Sequence, residues 1–270
     1  MNGKGGDPAK ATRRRLGWIG ALAAVAGLAV LGFARFDHWR LERALLREYP
    51  DRITDDRELV SFAVSLGRPA YAENCASCHG AAMEGNQAIG APNLADSVWL
   101  YDFGGISDIE RTILYGVRSG HGKTHNVTDM PGFGVRKLLT PQQVGDVVAY
   151  TLSLANGGDG DAEAIARGSR LFFGDGLCFD CHSPDGAGNP DYGAPNLIDA
   201  EWLFGGDPEN VYRSTYDGRH GLCPAWIGRL DFATIRGLAV YLHQVSHAGT
   251  DTAAGSAAET ISASSTEGGG

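Results

Sequence analysis

The sequence reads Cys-Ala-Ser-Cys-His from Cys75 and Cys-Phe-Asp-Cys-His from Cys178, the same Cys-x-x-Cys-His pattern 103 residues apart. The match extends beyond the motif. At the same offset Ala91-Pro92-Asn93-Leu94 meets Ala194-Pro195-Asn196-Leu197, and Trp99-Leu100 meets Trp202-Leu203. Farther on the offset falls to 101, where Tyr115 meets Tyr216 and Arg118 meets Arg219. An internal duplication of roughly 90 residues constrains the fold strongly, because one supersecondary unit is written twice.

Each copy closes on a helix signal. The Thr140 hydroxyl can cap a helix, Pro141 suits its first position, and Gln143 completes a capping box. Val144, Val147, Val148 and Thr151 then share one face. In the second copy Asp231 can cap, and Ile235, Leu238, Ala239 and Leu242 recur at helical spacing. No stretch alternates with period two, so an all-α fold is expected. The two units are placed at 58–156 and 157–247. The residues from 248 to 270 are small and polar without periodicity, and are expected to be disordered.

Leu16 to Ala34 carries no charged side chain. At a rise of 1.5 Å per residue it spans about 28 Å, close to a bilayer's apolar core. Arg13, Arg14 and Arg15 precede it, and Trp18 and Trp39 suit the two interfaces. No clean small-x-small cleavage site follows. Residues 16–35 are therefore read as a single transmembrane anchor rather than a removed signal peptide, with 1–15 as a cytoplasmic tail. Leu41, Leu45 and Tyr49 recur every four residues within 36–57, which reads as a charged helical stalk interrupted at Pro50.

Thiols at i and i+3 lie on one side of a helical turn, where both can add to the vinyl groups of one haem. The adjacent histidine then faces the iron, which is the c-type attachment pattern. A lone motif also fits a redox dithiol or half of a zinc site. Two in tandem, each followed by a soft ligand candidate, point to two covalently bound haem c groups. Their holders would be Cys75, Cys78 and His79, and Cys178, Cys181 and His182. The macrocycles would supply much of the apolar core, which suits a chain with 39 glycines. Covalent attachment takes place outside the cytoplasm, so the haem units are expected to face the periplasm from the inner (cell) membrane.

Met130 stands before Pro131, late in the first unit, and a thioether raises the potential of haem iron. His121 and His125 compete for the same role, but they lie in a polar loop and are expected to be solvated or near a propionate. Arg118 and Arg219 can pair with propionates or remain on the surface. Trp99 and Trp202 are expected to pack on haem. At the place matching Met130 the second copy carries Cys223 before Pro224. Four of the five cysteines are in the motifs, so Cys223 is the odd one. Three readings are open: a thiolate ligand to the second haem, a small buried residue with His220 as the ligand, or an open sixth position.

The stretches "SDIERTILYGVRSGH…DMPGFG" and "YDGRHGLCPAWIGRLDFATIRGLAVYLH" resemble the dihaem subunit, subunit III, of cbb3-type cytochrome c oxidases, over residues 58–247. The resemblance implies tandem cytochrome c domains and a membrane-anchored electron carrier with no bond chemistry, hence no catalytic residues. It would take electrons from a cytochrome c and pass them through a monohaem subunit to a haem–copper centre. It also implies His79 with Met130 at the first haem, and His182 with Cys223 at the second. Two departures stand out: the family often carries two N-terminal membrane helices, and it usually has methionine at the place of Cys223.

The formal net charge of −9 argues against nucleic acid and suits basic protein partners. Two other functions stay in view. One is a free-standing dihaem carrier in the membrane. The other is a dihaem sulfur-compound oxidase such as a thiosulfate dehydrogenase, suggested by a His/Cys-ligated haem.

Overall fold

The computed structural model describes the backbone of residues 8–125, 128–199 and 201–264, and within them the side chains of Leu22 and of residues 24–248. The chain divides into two compact units, Met1–Glu48 and Tyr49–Gly270. In the first, helix α1 runs without a break over Pro8–Arg47, through the charge-free stretch and the charged segment after it. Among the described residues no helix is long and apolar enough to cross a membrane. Within the expected anchor at 16–35, the side chains of residues 16–21 and 23 lie outside the described ones.

The second unit is helical. Among the described residues it has isolated backbone bridges but no strand. After a 3-10 turn at Pro50–Asp55, α2 spans Arg57–Asn74, α3 Ala76–His79 and α4 Ile106–Tyr115. Next come α5 at Pro141–Ala155, α6 at Ala162–Phe173, α7 at Phe179–His182, α8 at Pro208–Asp217 and α9 at Phe232–Ser264. Local chemistry sets the starts. Asp56, Asp161 and Asp207 each accept two backbone N–H bonds at the N-termini of α2, α6 and α8. Thr140 and Gln143 form the expected reciprocal capping box, at 3.3 and 2.8 Å. Asp231 receives the Thr234 N–H at 2.8 Å.

Helix α9 continues past His247 to Ser264, into the segment expected to be disordered. Ala253, Ala254, Ala257 and Ala258 are the strongest helix formers, and they extend a helix already nucleated by packing upstream. Residues 265–270 lie outside the described residues.

Each copy's closing helix packs on the other copy. Helix α9, the last of the second copy, packs on α2 and α4 of the first. Helix α5, the last of the first copy, packs on α6 and α8 of the second. The closing helices are exchanged. Each exchanged contact is close. A methyl group at Gly67 of α2 would overlap the Gly237 carbonyl of α9, and one at Gly168 of α6 would overlap the Asp146 carbonyl of α5. Each also carries an ion pair. Arg236 Nε on α9 meets Glu110 Oε2 on α4 at 2.5 Å, with both side chains almost buried. Arg167 on α6 makes a bidentate pair with Asp146 on α5 at 3.0 and 2.9 Å. Because α5 and α9 are equivalent elements, either can seat against the helices of either copy, which is the condition for exchange.

These crossings predict opposite effects for two glycine-to-alanine changes. Gly67→Ala, which forces α2 off α9, is expected to cost about 1–3 kcal/mol in denaturant unfolding of the haem-loaded protein. Gly145→Ala lies within α5, where nothing is within 4 Å of the added carbon. It is expected to gain about 0.5–1 kcal/mol from helix propensity.

Candidate haem sites

Both Cys-x-x-Cys-His motifs form a single helical turn at the end of a longer element. Cys75 follows α2 and leads into α3, so that the Cys78 and His79 amides both point back to the Cys75 carbonyl at 3.1 and 3.0 Å. In α7 the Cys181 and His182 amides point to the Cys178 carbonyl at 3.2 and 2.9 Å. The two thiols of each motif thus lie along one face.

The histidines are oriented identically. His79 Nδ1 lies 3.0 Å from the Pro92 carbonyl oxygen, and His182 Nδ1 lies 3.0 Å from that of Pro195. A carbonyl only accepts, so Nδ1 carries the proton and Nε2 keeps its lone pair for a metal. Burial lowers both imidazole pKa values, which keeps the rings neutral as ligation requires. This donor set fits haem c: two thiols on one turn, with a neutral imidazole whose Nε2 is free beside them. The prolines holding the imidazoles come from the repeated Ala-Pro-Asn-Leu, whose role was not read from the sequence although its repetition marked it. A cavity of about 320 Å³ lies between these two loops and is lined by Pro92, Asn93, Trp99, Pro195, Asn196 and Trp202.

Each soft ligand candidate is seated on the other copy. Val117, just after α4, exchanges both backbone hydrogen bonds with Cys223, at 2.9 and 3.0 Å. Trp226 and Ile227 donate to the Ile113 and Leu114 carbonyls of α4, each at 3.1 Å. The Cys-Pro loop of the second copy is therefore seated on the first. Its thiol lies within electrostatic reach of Cys75 and Cys78. Burial, with those neighbours adding, pushes Cys223 up to about 11, and Cys75 likewise.

The Met-Pro loop is the mirror case. The Met130 carbonyl accepts from Arg219 N–H at 3.1 Å, and Phe133 and Gly134 donate to the Thr215 and Tyr216 carbonyls at 3.0 Å. Phe133 belongs to a buried cluster with Val144, Val147 and Val211, against which Cys178, Trp202 and Tyr216 pack. Cys223 thus lies beside the first motif, and the Met130 loop is seated on the second copy. The exchange of α5 and α9 carries the loops with it.

The other candidates are placed as follows. His220 is exposed and pairs with Asp129, Nδ1 to Oδ2 at 3.2 Å. His121 stacks on Tyr115 at 4.9 Å. His125 is not solvated but buried, stacked on Tyr101 at 4.5 Å with Nε2 3.1 Å from the Thr112 hydroxyl. Arg118 bonds to the Gly221 and Thr128 carbonyls. Arg219 bonds to Ser214 and covers the Phe204 ring. Gly116 and Gly218 were not singled out by the sequence reading. Both have positive φ, and a methyl group on either would crowd the crossing loop.

The cytochrome c family model matches residues 64–155. Among known proteins, the cbb3-type cytochrome c oxidase subunit CcoP of Azospirillum sp. (strain B510) is 43% identical over 210 residues, covering 75% of this chain and 69% of that protein. The subunit FixP of Bradyrhizobium sp. (strain ORS 278) is 39% identical, covering 72% of this chain and 64% of its own length. The FixP of Azorhizobium caulinodans is 37% identical over 84% of this chain and 74% of its own length. The chain thus spans about two-thirds to three-quarters of these relatives. With paired Cys-x-x-Cys-His turns, repeated imidazole-holding loops and this likeness over most of its length, the chain belongs to the CcoP/FixP family of cbb3-type oxidase cytochrome c subunits.

Proposed function

We propose that this chain relays electrons from a cytochrome c donor, through two covalently attached haem c groups, to the haem–copper centre of a cbb3-type oxidase. The observation that carries this reading is the pair of His Nδ1–proline carbonyl bonds, which prepare two imidazoles in the same way beside two pairs of thiols. When bound, each haem supplies a one-electron iron(III)/iron(II) couple. The chain's part is to hold the rings, set their surroundings and present them to partners. Its acidic balance suits a basic donor. Residues 16–35 would anchor it in the inner membrane with the haem units in the periplasm, beside the other oxidase subunits.

We assign His79 and Cys223 as the residues that would hold one haem iron, and His182 and Met130 as those that would hold the other. The Cys223 thiol is protonated at neutral pH by its own pKa, pushed up to about 11. Ligation as thiolate would therefore expel a proton, as metal binding to cysteine generally does. Thiolate donation favours iron(III) and thioether donation favours iron(II), so the Cys223 haem would hold the lower potential.

Two outcomes test this reading. From solubilised membranes the chain is expected to co-purify with a haem–copper subunit, and Cys75→Ala with Cys78→Ala should remove most cytochrome c-driven oxygen consumption. Isolation free of any oxidase would contradict it. In redox titration, Cys223→Met should raise one haem's potential on the order of 0.1 V or more, within the ~0.8 V range that axial ligands command. The low-spin thiolate signal in electron paramagnetic resonance should vanish with it.

A further inference from the structure

One guanidinium joins the two loops that carry Met130 and Cys223. Arg118 Nε donates to the Gly221 carbonyl at 2.5 Å, two residues before Cys223. Its Nη1 donates to the Thr128 carbonyl at 3.3 Å, two residues before Met130, and to the Tyr101 hydroxyl at 3.2 Å. Nε also lies 3.4 Å from Asp129 Oδ1, and the other oxygen of Asp129 meets His220 Nδ1 at 3.2 Å. Asp129 precedes Met130 and His220 lies in the Cys223 loop, so the charge pair repeats the link made by the carbonyls.

The position is built for this role. Arg118 has a φ of +49°, a conformation uncommon for a residue with a side chain. Its own N–H donates to the His125 carbonyl at 2.9 Å, and its neighbour Val117 pairs with Cys223. The side chain is largely buried, at 20 % exposure. Its counterpart in the duplication does otherwise. Arg219 Nε bonds to the Ser214 hydroxyl, and its guanidinium lies 4.2 Å over Phe204, so its side chain reaches neither ligand. The brace is single, although the fold is duplicated.

We propose that Arg118 is a positioning residue that locks the Met130 and Cys223 loops into one unit, so that the axial ligands of the two haems are set together rather than separately. The inference rests on the ligand assignment proposed above. Lysine cannot replace the guanidinium, because one ammonium cannot meet two carbonyls and a carboxylate in the fork geometry of arginine. Releasing the brace loosens both loops at once and frees Asp129 and the Gly221 carbonyl.

The test is a redox titration of the full haem-loaded chain, followed optically, for wild type, Arg118→Ala, Arg118→Lys and Arg219→Ala. Both Arg118 variants should shift the midpoint potentials of both haems. They should also weaken both the methionine–iron charge-transfer band and the thiolate resonance signal, with the lysine variant less affected. Arg219→Ala should leave the Cys223 haem at its wild-type potential. If Arg118→Ala does not load haem, Arg118→Lys carries the test alone. An Arg118 variant that keeps two haems and shifts only one of them, or neither, overturns the proposal. A wild type lacking the thiolate or methionine signal would instead overturn the ligand assignment, which separates the two failures.

Discussion

The peptide of Val117 exchanges both its hydrogen bonds with that of Cys223, and Arg219 donates to the carbonyl of Met130. These few backbone bonds join the two copies where each chain segment leaves its own unit. Gly116 and Gly218 turn the chain at these points with φ of +71° and +81°, and leave no room for a side chain against the crossing loop. Once the segments have crossed, each closing helix lies nearer to the other copy's first helix, and the apolar faces of α5 and α9 have one place to go. The helix exchange, the seating of the soft ligands and the bracing by Arg118 all follow from that crossing.

The exchange has an energetic and a functional consequence. Neither copy closes its core without the other, so the haem-binding unit from Tyr49 onward behaves as one body. The Arg236–Glu110 pair reinforces it at low exposure, where loss of one partner leaves an uncompensated charge, and the exposed Arg167 reaches the nearly buried Asp146 alongside it. Two haems held in such a body, as proposed above, would keep a fixed separation, which suits a relay in which electrons pass from one to the next.

Much of the site was legible in the sequence. The spacing of Cys75, Cys78 and His79, and its repetition at Cys178, Cys181 and His182, marked the two short turns that the structure forms there, because i, i+3 spacing places both thiols on one helical turn. The caps at Thr140 and Asp231 were legible because capping is a local interaction. The partners of the closing helices were not. Val144, Val147 and Val148 show that α5 has an apolar face, and Ile235, Leu238 and Ala239 show the same for α9. Periodicity does not say which of two equivalent surfaces receives that face. The crosswise placement of Cys223 and Met130 was hidden for the same reason. The burial of His125 was hidden by its polar neighbours, Thr124 and Lys123, since its partners Tyr101 and Thr112 are distant in the chain.

The central claim is that the ligands cross between the copies, and it can be tested by removing one haem at a time. In the full chain, Cys75→Ala with Cys78→Ala deletes the haem held by His79, and Cys178→Ala with Cys181→Ala deletes the one held by His182. Paramagnetic resonance and near-infrared absorption then report which sixth ligand remains. The account predicts that deleting the first haem abolishes the thiolate signal and spares the methionine band, and that deleting the second does the reverse. Survival of the thiolate signal after loss of the first haem, with loss of the methionine band, would mean that each copy ligates its own haem and would contradict the account.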